Sequence, residues 1–123
     1  MPLLYTAYPR VLNSFYGPSP PKRPFLIYYA SIDPATGQMW CPDCRAVEST
    51  VKDLFEKEDG PTGLIIWVGQ RAEWKDPNNQ YRKEAGITGV PTIVKLKDGK
   101  EVARLVEYNI LDKDKLSAFM KDD

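Results

Sequence analysis

The two cysteines of this chain stand two residues apart, in Trp40-Cys41-Pro42-Asp43-Cys44, and there is no histidine anywhere in the 123 residues. Downstream of them, Cys44, Val47, Val51, Leu54 and Phe55 recur at helical spacing and share one face. Cys44 is then the first residue of a buried stripe. Cys41 falls where the helix begins, with Pro42 suited to the first helical position. The first turn of a helix offers unpaired N–H groups and the positive end of the macrodipole, and both favour a thiolate over a thiol. Cys41, at an exposed tip, is therefore the expected nucleophile. Cys44, tucked beneath it, is the thiol expected to resolve the mixed disulfide that Cys41 forms. The spacing lets the two sulfurs close a small ring without unwinding the helix, which is the layout of a redox dithiol.

Two blander chemistries compete for the same residues. A C-x-x-C can be half of a zinc site, but zinc takes about four ligands, and here only dimerisation or carboxylates could complete the set. A structural disulfide is the other, yet so small a loop constrains the unfolded chain little. A strand before the motif and a helix after it favour the redox reading.

The elements that must hold the motif can be placed from local signals. Leu3 to Tyr8 fits a short edge strand, and Pro9 to Tyr16 a helix stopped by Gly17. Pro18 to Pro24 is a stiff connector; it is similar to a proline-rich SH3-type ligand, but a turn before a strand is the preferred reading. Phe25-Leu26-Ile27-Tyr28-Tyr29-Ala30 is continuously apolar and aromatic, as buried parallel strands are. Ser31 to Met39 reads as a loop, and the motif helix is expected over about Pro42 to Glu58, stopped by Gly60-Pro61-Thr62-Gly63. Leu64 to Val68 is a second buried strand. Gly69 to Lys75 reads as a loop, with Trp74 packed onto the domain. Asp76-Pro77 is expected to cap and open a short helix that ends near Gly86. Pro91 to Leu96 and Glu101 to Val106 form a hairpin around Asp98-Gly99, and Asp112 caps a last helix that docks Leu116, Phe119 and Met120. The order β-α-β-α-β-α-β-β-α makes an α/β sandwich around a mixed central sheet, with residues 1–123 as a single domain.

Composition narrows the partners. Seventeen basic and seventeen acidic residues cancel, with no block of like charge, so neither nucleic acid nor an anionic membrane is an expected partner. No apolar run approaches the roughly 20 residues that span a bilayer, and Met1-Pro2-Leu3-Leu4-Tyr5 does not read as a secretory leader. Two cysteines confined to one motif fit a reducing compartment, with the cytoplasm as the default.

With W-C-x-x-C following a strand, this order resembles the thioredoxin fold. Ala85-Gly86-Ile87-Thr88-Gly89-Val90-Pro91-Thr92 is similar to the thioredoxin segment around its cis-proline, and Lys97-Asp98-Gly99-Lys100 to its final hairpin. Trp40-Cys41-Pro42-Asp43-Cys44, the extended loop before it, and Trp74-Lys75-Asp76-Pro77-Asn78-Asn79 together resemble the 14-kDa thioredoxin-related proteins, the thioredoxin domain-containing protein 17 family. The similarity covers nearly the whole chain, more loosely before Phe25.

The resemblance implies a cytosolic disulfide reductase whose Cys41–Cys44 disulfide is recharged from NADPH by thioredoxin reductase, with no bound cofactor or metal. Its substrates would be disulfide-containing proteins or small disulfides such as cystine, with a minor peroxidase activity, and a monomer is expected. Carried over, Cys41 attacks and Cys44 resolves. Trp40 flanks the site, and Pro91 faces the dithiol through a cis bond from Val90. Thioredoxin itself has an acid in the central strand beneath the dithiol. Here that position falls at or near Tyr28, and no acid occurs from Phe25 to Ala30, so the proton acceptor for Cys44 is left open. Asp43 has two readings: a helix-favouring, tuning charge in the first turn, or that acceptor. A competing function class is a redox-switched protein-binding module.

Overall fold

The computed structural model describes residues 3–121. A five-stranded sheet of order β1-β5-β2-β6-β7 forms its centre, built from β1 (Leu3–Leu4), β2 (Pro24–Tyr29), β5 (Thr62–Trp67), β6 (Thr92–Lys97) and β7 (Lys100–Val106). The strands β1, β5 and β2 run parallel; β6 and β7 are antiparallel to their neighbours, so the sheet is mixed. The central β2 pairs on both edges, which is why its residues Phe25 to Tyr29 are all buried and its sequence lacks polar alternation.

Helices cover both faces. Alternation along β2 sends Phe25, Ile27 and Tyr29 to one side and Leu26 and Tyr28 to the other. On the first side lie α2 (Pro42–Phe55) and α5 (Lys113–Phe119): the Phe25 ring meets Phe55 at 5.4 Å and Phe119 at 5.5 Å, both edge-to-face. Gly63 on β5 lets α2 come close, since a Cβ there would sit 2.7 Å from Phe55 Cδ1 and 2.8 Å from Ile27 Cδ1. On the other side Tyr28 meets Tyr81 of α4 (Gln80–Lys83) edge-to-face at 6.0 Å, and Tyr16 of α1 (Pro9–Tyr16) is its electrostatic neighbour.

Several boundaries differ from the sequence reading, each for a physical reason. The loop from Ser31 to Met39 contains a small hairpin, β3 (Ile32–Asp33) with β4 (Gln38–Met39). The segment from Gly69 to Lys75 is not all loop. Arg71–Lys75 forms α3, opened by a capping box in which the Gln70 and Glu73 side chains bond each other's backbone N–H. The next helix does not open at Pro77. Asp76 instead makes a local turn by accepting from the Asn78 N–H at 2.9 Å, and Asn79 caps α4 through the Tyr81 N–H. The motif helix stops at Phe55, short of Glu58. A 3-10 helix, Glu107–Leu111, precedes α5, and Asp112 caps α5 as expected by accepting from Asp114 and Lys115 N–H groups. Trp74 is buried, packed onto the domain as its sequence context suggested.

Candidate active site

Three chain segments meet at the start of α2. The first is the helix itself. Cys41 is its N-cap, Pro42 its first residue and Asp43 the acid of its first turn. Helical geometry then turns Cys44 inward with Val47, Val51 and Phe55, so Cys44 is wholly buried. Its sulfur accepts the Ala30 N–H at 3.4 Å, just beyond the end of β2. Burial pushes the Cys44 thiol well above the ordinary cysteine range; the Ala30 N–H partly opposes this, and the neighbouring Cys41 and Asp43 add to the rise.

The second segment is the turn before β6. The Val90–Pro91 peptide bond is cis. It carries the Val90 carbonyl to 3.7 Å from Cys41 Sγ, within reach of the thiol as donor. The turn is locked from both sides: Thr92, buried, donates through its hydroxyl to the Gly89 carbonyl at 2.6 Å, and the Glu107 N–H donates to the Pro91 carbonyl at 2.7 Å.

The third segment comes from the ends of β2 and β5 and positions Trp40. The Trp40 indole N–H donates to the Gly69 carbonyl at 2.9 Å. That carbonyl also takes the Ser31 N–H at 3.2 Å, while the Gly69 N–H bonds the Ser31 hydroxyl at 2.9 Å. Gly69 has φ +111, a conformation open to glycine and hardly to other residues. The Arg71 guanidinium lies over the Trp40 ring, 5.0 Å from its centroid, a cation–π contact. Beside the motif a groove of about 560 Å³ is lined by Trp40, Arg45, Gln70, Arg71 and Asp33 among others.

The structure therefore brings together all seven residues that the sequence singled out: Trp40, Cys41, Pro42, Asp43, Cys44, Val90 and Pro91. It corrects two details. Cys41 is only 8% exposed, so it is a narrow window under the Val90 carbonyl rather than a protruding tip. The position beneath the dithiol, read as at or near Tyr28, is not Tyr28 itself: Tyr28 faces α1 and α4, whereas its strand neighbours Ile27 and Tyr29 face the helix that carries Cys44. Ser31, Gly69 and Arg71 were not visible as site residues in the sequence. The Gln70-x-x-Glu73 spacing was a signal for the capping box, and with it for Gly69 as the turn before a helix.

Both cysteines are free thiols, and Cys41 is close enough to raise the Cys44 thiol electrostatically. A near-surface thiol backed by a buried one can exchange with an external disulfide and then close on itself. Among the described residues, no group of three or more His, Cys, Asp or Glu is arranged to hold a metal, and no helix is long and apolar enough to cross a membrane.

Known proteins identify the fold and the family. Solved thioredoxins superpose over nearly the full chain. Reduced Schistosoma mansoni thioredoxin pre-protein gives a TM-score of 0.62 at 18% identity, covering 97% of this chain and 98% of that one. Arabidopsis thaliana thioredoxin O2 gives 0.65 at 15% identity, covering 97% and 95%. These likenesses establish the thioredoxin fold. In sequence, a thioredoxin domain-containing protein of Schizosaccharomyces pombe is 36% identical over 100 residues, 78% of this chain and 81% of that protein. Human thioredoxin domain-containing protein 17 is 39% identical over 69 residues, 55% of this chain and 56% of the human one. The rice thioredoxin-like protein Clot is 33% identical over 100 residues, covering 76% and 72%. Residues 16–122 match the family described as thioredoxin domain-containing protein 17-like, thioredoxin domain, and the chain belongs to that family.

Proposed function

We propose that this protein is a dithiol–disulfide oxidoreductase that reduces disulfides through Cys41 and Cys44. The observation that carries the proposal is the inequality of the two thiols: Cys41 opens to solvent through a narrow window beside the Val90 carbonyl, while Cys44 is wholly buried. In the first step the Cys41 thiolate attacks a substrate disulfide, one substrate thiolate leaves, and a mixed disulfide forms. In the second step Cys44 loses its proton and attacks the Cys41 sulfur. The Cys41–Cys44 disulfide closes and the second substrate thiol is released. An extended substrate would lie along the turn at Val90, beside Cys41, with Trp40 and Arg71 flanking the motif.

Substrates of the proposed enzyme are protein disulfides or small disulfides such as cystine, with a minor peroxidase activity. Reducing equivalents come from NADPH through thioredoxin reductase. The expected setting is the cytoplasm, with residues 1–123 acting as one monomeric domain. The family membership and the fold support the redox chemistry; the substrate, the reductase and the compartment rest on the family resemblance. The deciding experiment is a coupled assay of NADPH consumption with thioredoxin reductase, this protein and a disulfide substrate. Sustained turnover that vanishes in Cys41→Ser is the expected result. A single stoichiometric reduction that then stops would instead fit a redox-switched binding module.

A further inference from the structure

Two cations stand beside the motif that the exchange chemistry does not use. Arg45 lies four residues after Cys41, and its backbone N–H donates to the Cys41 carbonyl at 3.2 Å, so the two sit one turn apart on one side of α2. Its Nη1 reaches back to donate to the Met39 carbonyl at 2.5 Å. Arg71, on α3, lies over the Trp40 ring and donates through Nη2 to the Trp40 carbonyl at 3.5 Å. The two guanidiniums therefore bracket consecutive carbonyls, those of the two residues just before Cys41. Both arginines are exposed, and both line the groove of about 560 Å³ beside the motif. Among the described residues neither forms an ion pair. The groove has one carboxylate of its own, Asp33, one oxygen of which accepts the Ala35 N–H at 2.9 Å. Asp43 is not part of its lining. The whole chain balances seventeen basic against seventeen acidic residues, yet here two cations face one carboxylate.

We propose that Arg45 and Arg71 form a carboxylate-binding subsite through which the protein selects protein disulfides flanked by acidic residues, a role that rests on the reductase reading above. A substrate cysteine joined to Cys41 presents its neighbouring side chains to the groove, and a Glu or Asp among them meets the guanidiniums. A guanidinium is a planar fork of N–H donors that matches a carboxylate, and the one backbone contact of each side chain leaves most of its fork open. Those contacts, with the stacking of Arg71 on Trp40, already hold the two side chains, so docking orders them little further. The hairpin Ile32–Asp33 with Gln38–Met39 and the helix Arg71–Lys75 wall the groove, so the two segments that read as loops in the sequence are what shape it. The exchange itself is unchanged: the substrate disulfide leaves as two thiols while the Cys41 and Cys44 thiols close into a disulfide. Selection acts on docking. Charge complementarity at an exposed site raises the encounter rate, turns away like charge and weakens with salt.

The test uses disulfide-linked dimers of one short capped peptide, with glutamate, glutamine or lysine on both sides of its cysteine. The reduced full chain is mixed with each dimer and quenched with iodoacetamide, and mass spectrometry reads the second-order rate at which Cys41 and Cys44 are oxidised. Each rate is divided by that of dithiothreitol with the same dimer, which removes the intrinsic reactivity of the peptide. At about 0.01 M salt the glutamate dimer should react about 5-fold or more faster than the glutamine dimer, and the lysine dimer slower. About 1 M salt should erase the preference. Arg45→Gln and Arg71→Gln should each lower it by about 2-fold or more, whereas Arg45→Lys, which keeps the charge, should retain most of it. Equal normalised rates for the three dimers in the parent, or a preference unchanged in both glutamine variants, would overturn the subsite. Cystine provides a small-molecule arm. Slower reaction with cystine in Arg45→Gln, with the peptide preference unchanged, would assign the groove to free amino-acid carboxylates and overturn the selection of protein disulfides. A reduced chain that no dimer oxidises would instead overturn the reductase reading on which the subsite rests.

Discussion

The Trp40 indole N–H and the Gly69 carbonyl are joined by a 2.9 Å hydrogen bond across 29 residues of sequence. It pins the ring beside Cys41, and it works because Gly69 holds φ +111, which turns its carbonyl toward both Trp40 and Ser31. Gly69→Ala places a Cβ 2.9 Å from the Glu73 Cβ and strains the backbone as well. The expected cost is about 1–3 kcal/mol of stability, together with a fall in disulfide-reduction rate as Trp40 loses its anchor. Trp40→Phe should cost less stability, about 0.5–1.5 kcal/mol for the lost hydrogen bond, but should also slow reduction. Urea unfolding and the coupled assay, run side by side, check both. A Gly69→Ala protein as stable as the parent would show that this turn does not need glycine.

The inequality of the two thiols sets an order of reaction. Cys44→Ser should accumulate a stable mixed disulfide through Cys41, because the resolving sulfur is gone. Cys41→Ser should trap nothing, since Cys44 is wholly buried. Peptide mapping after iodoacetamide at neutral pH provides the second check. Faster labelling of Cys44 than of Cys41 would reverse the assignment.

Asp43, half-buried in the first turn of α2, places a negative charge beside the dithiol and contributes to the rise of the Cys44 thiol. Asp43→Asn should cost the helix about 0.3–1 kcal/mol and should speed iodoacetamide labelling of Cys41 several-fold. Decay of a preformed Cys41 mixed disulfide should be no slower than in the parent if Asp43 is only a tuning charge. Slowing of that decay by about 10-fold would make Asp43 the acceptor instead.

Stability should fall on the alkaline side. Cys44, Tyr28 and Tyr29 all hold their protons more tightly than the ordinary values of 9.0 for cysteine and 10.0 for tyrosine, each mainly through burial. The unfolded chain therefore ionises first, and the folded state binds more protons than the unfolded one above about pH 9. The stabilisation is complete below that pH and is lost as pH rises, by up to about 1.4 kcal/mol per pH unit for each such group. Urea midpoints from about pH 8 to 11 should decline, and Tyr29→Phe should flatten the decline. A midpoint that stays level across that range would contradict the burial of these groups.

The residues that act locally were legible in the sequence. The helix Pro9–Tyr16, the start of the motif helix at Pro42, the buried run from Phe25, the Asp98-Gly99 turn and the Asp112 cap all stand as read. Each is decided within a few residues, by apolar spacing, by proline at a first helical position, by left-handed turn residues, or by a side chain reaching its own backbone. The motif was legible for the same reason: the two-residue spacing alone fixes how its sulfurs lie on a helix.

What the sequence left undecided is what depends on partners far along the chain. The hairpin Ile32–Asp33 with Gln38–Met39 carries almost no apolar pattern, and the Gln70 side chain ties it down by donating to the Ile32 carbonyl at 2.8 Å. The cis Val90–Pro91 bond, which no local signal reveals, sits in a turn held by the Glu107 N–H. The turning of Tyr28 away from the dithiol has the same origin. In a strand buried on both faces every residue is apolar, so composition cannot tell which side looks toward the helix. Only the packing of Phe25 between Phe55 and Phe119 fixes that phase, and with it the turn of Tyr29 toward α2 and of Tyr28 away from it.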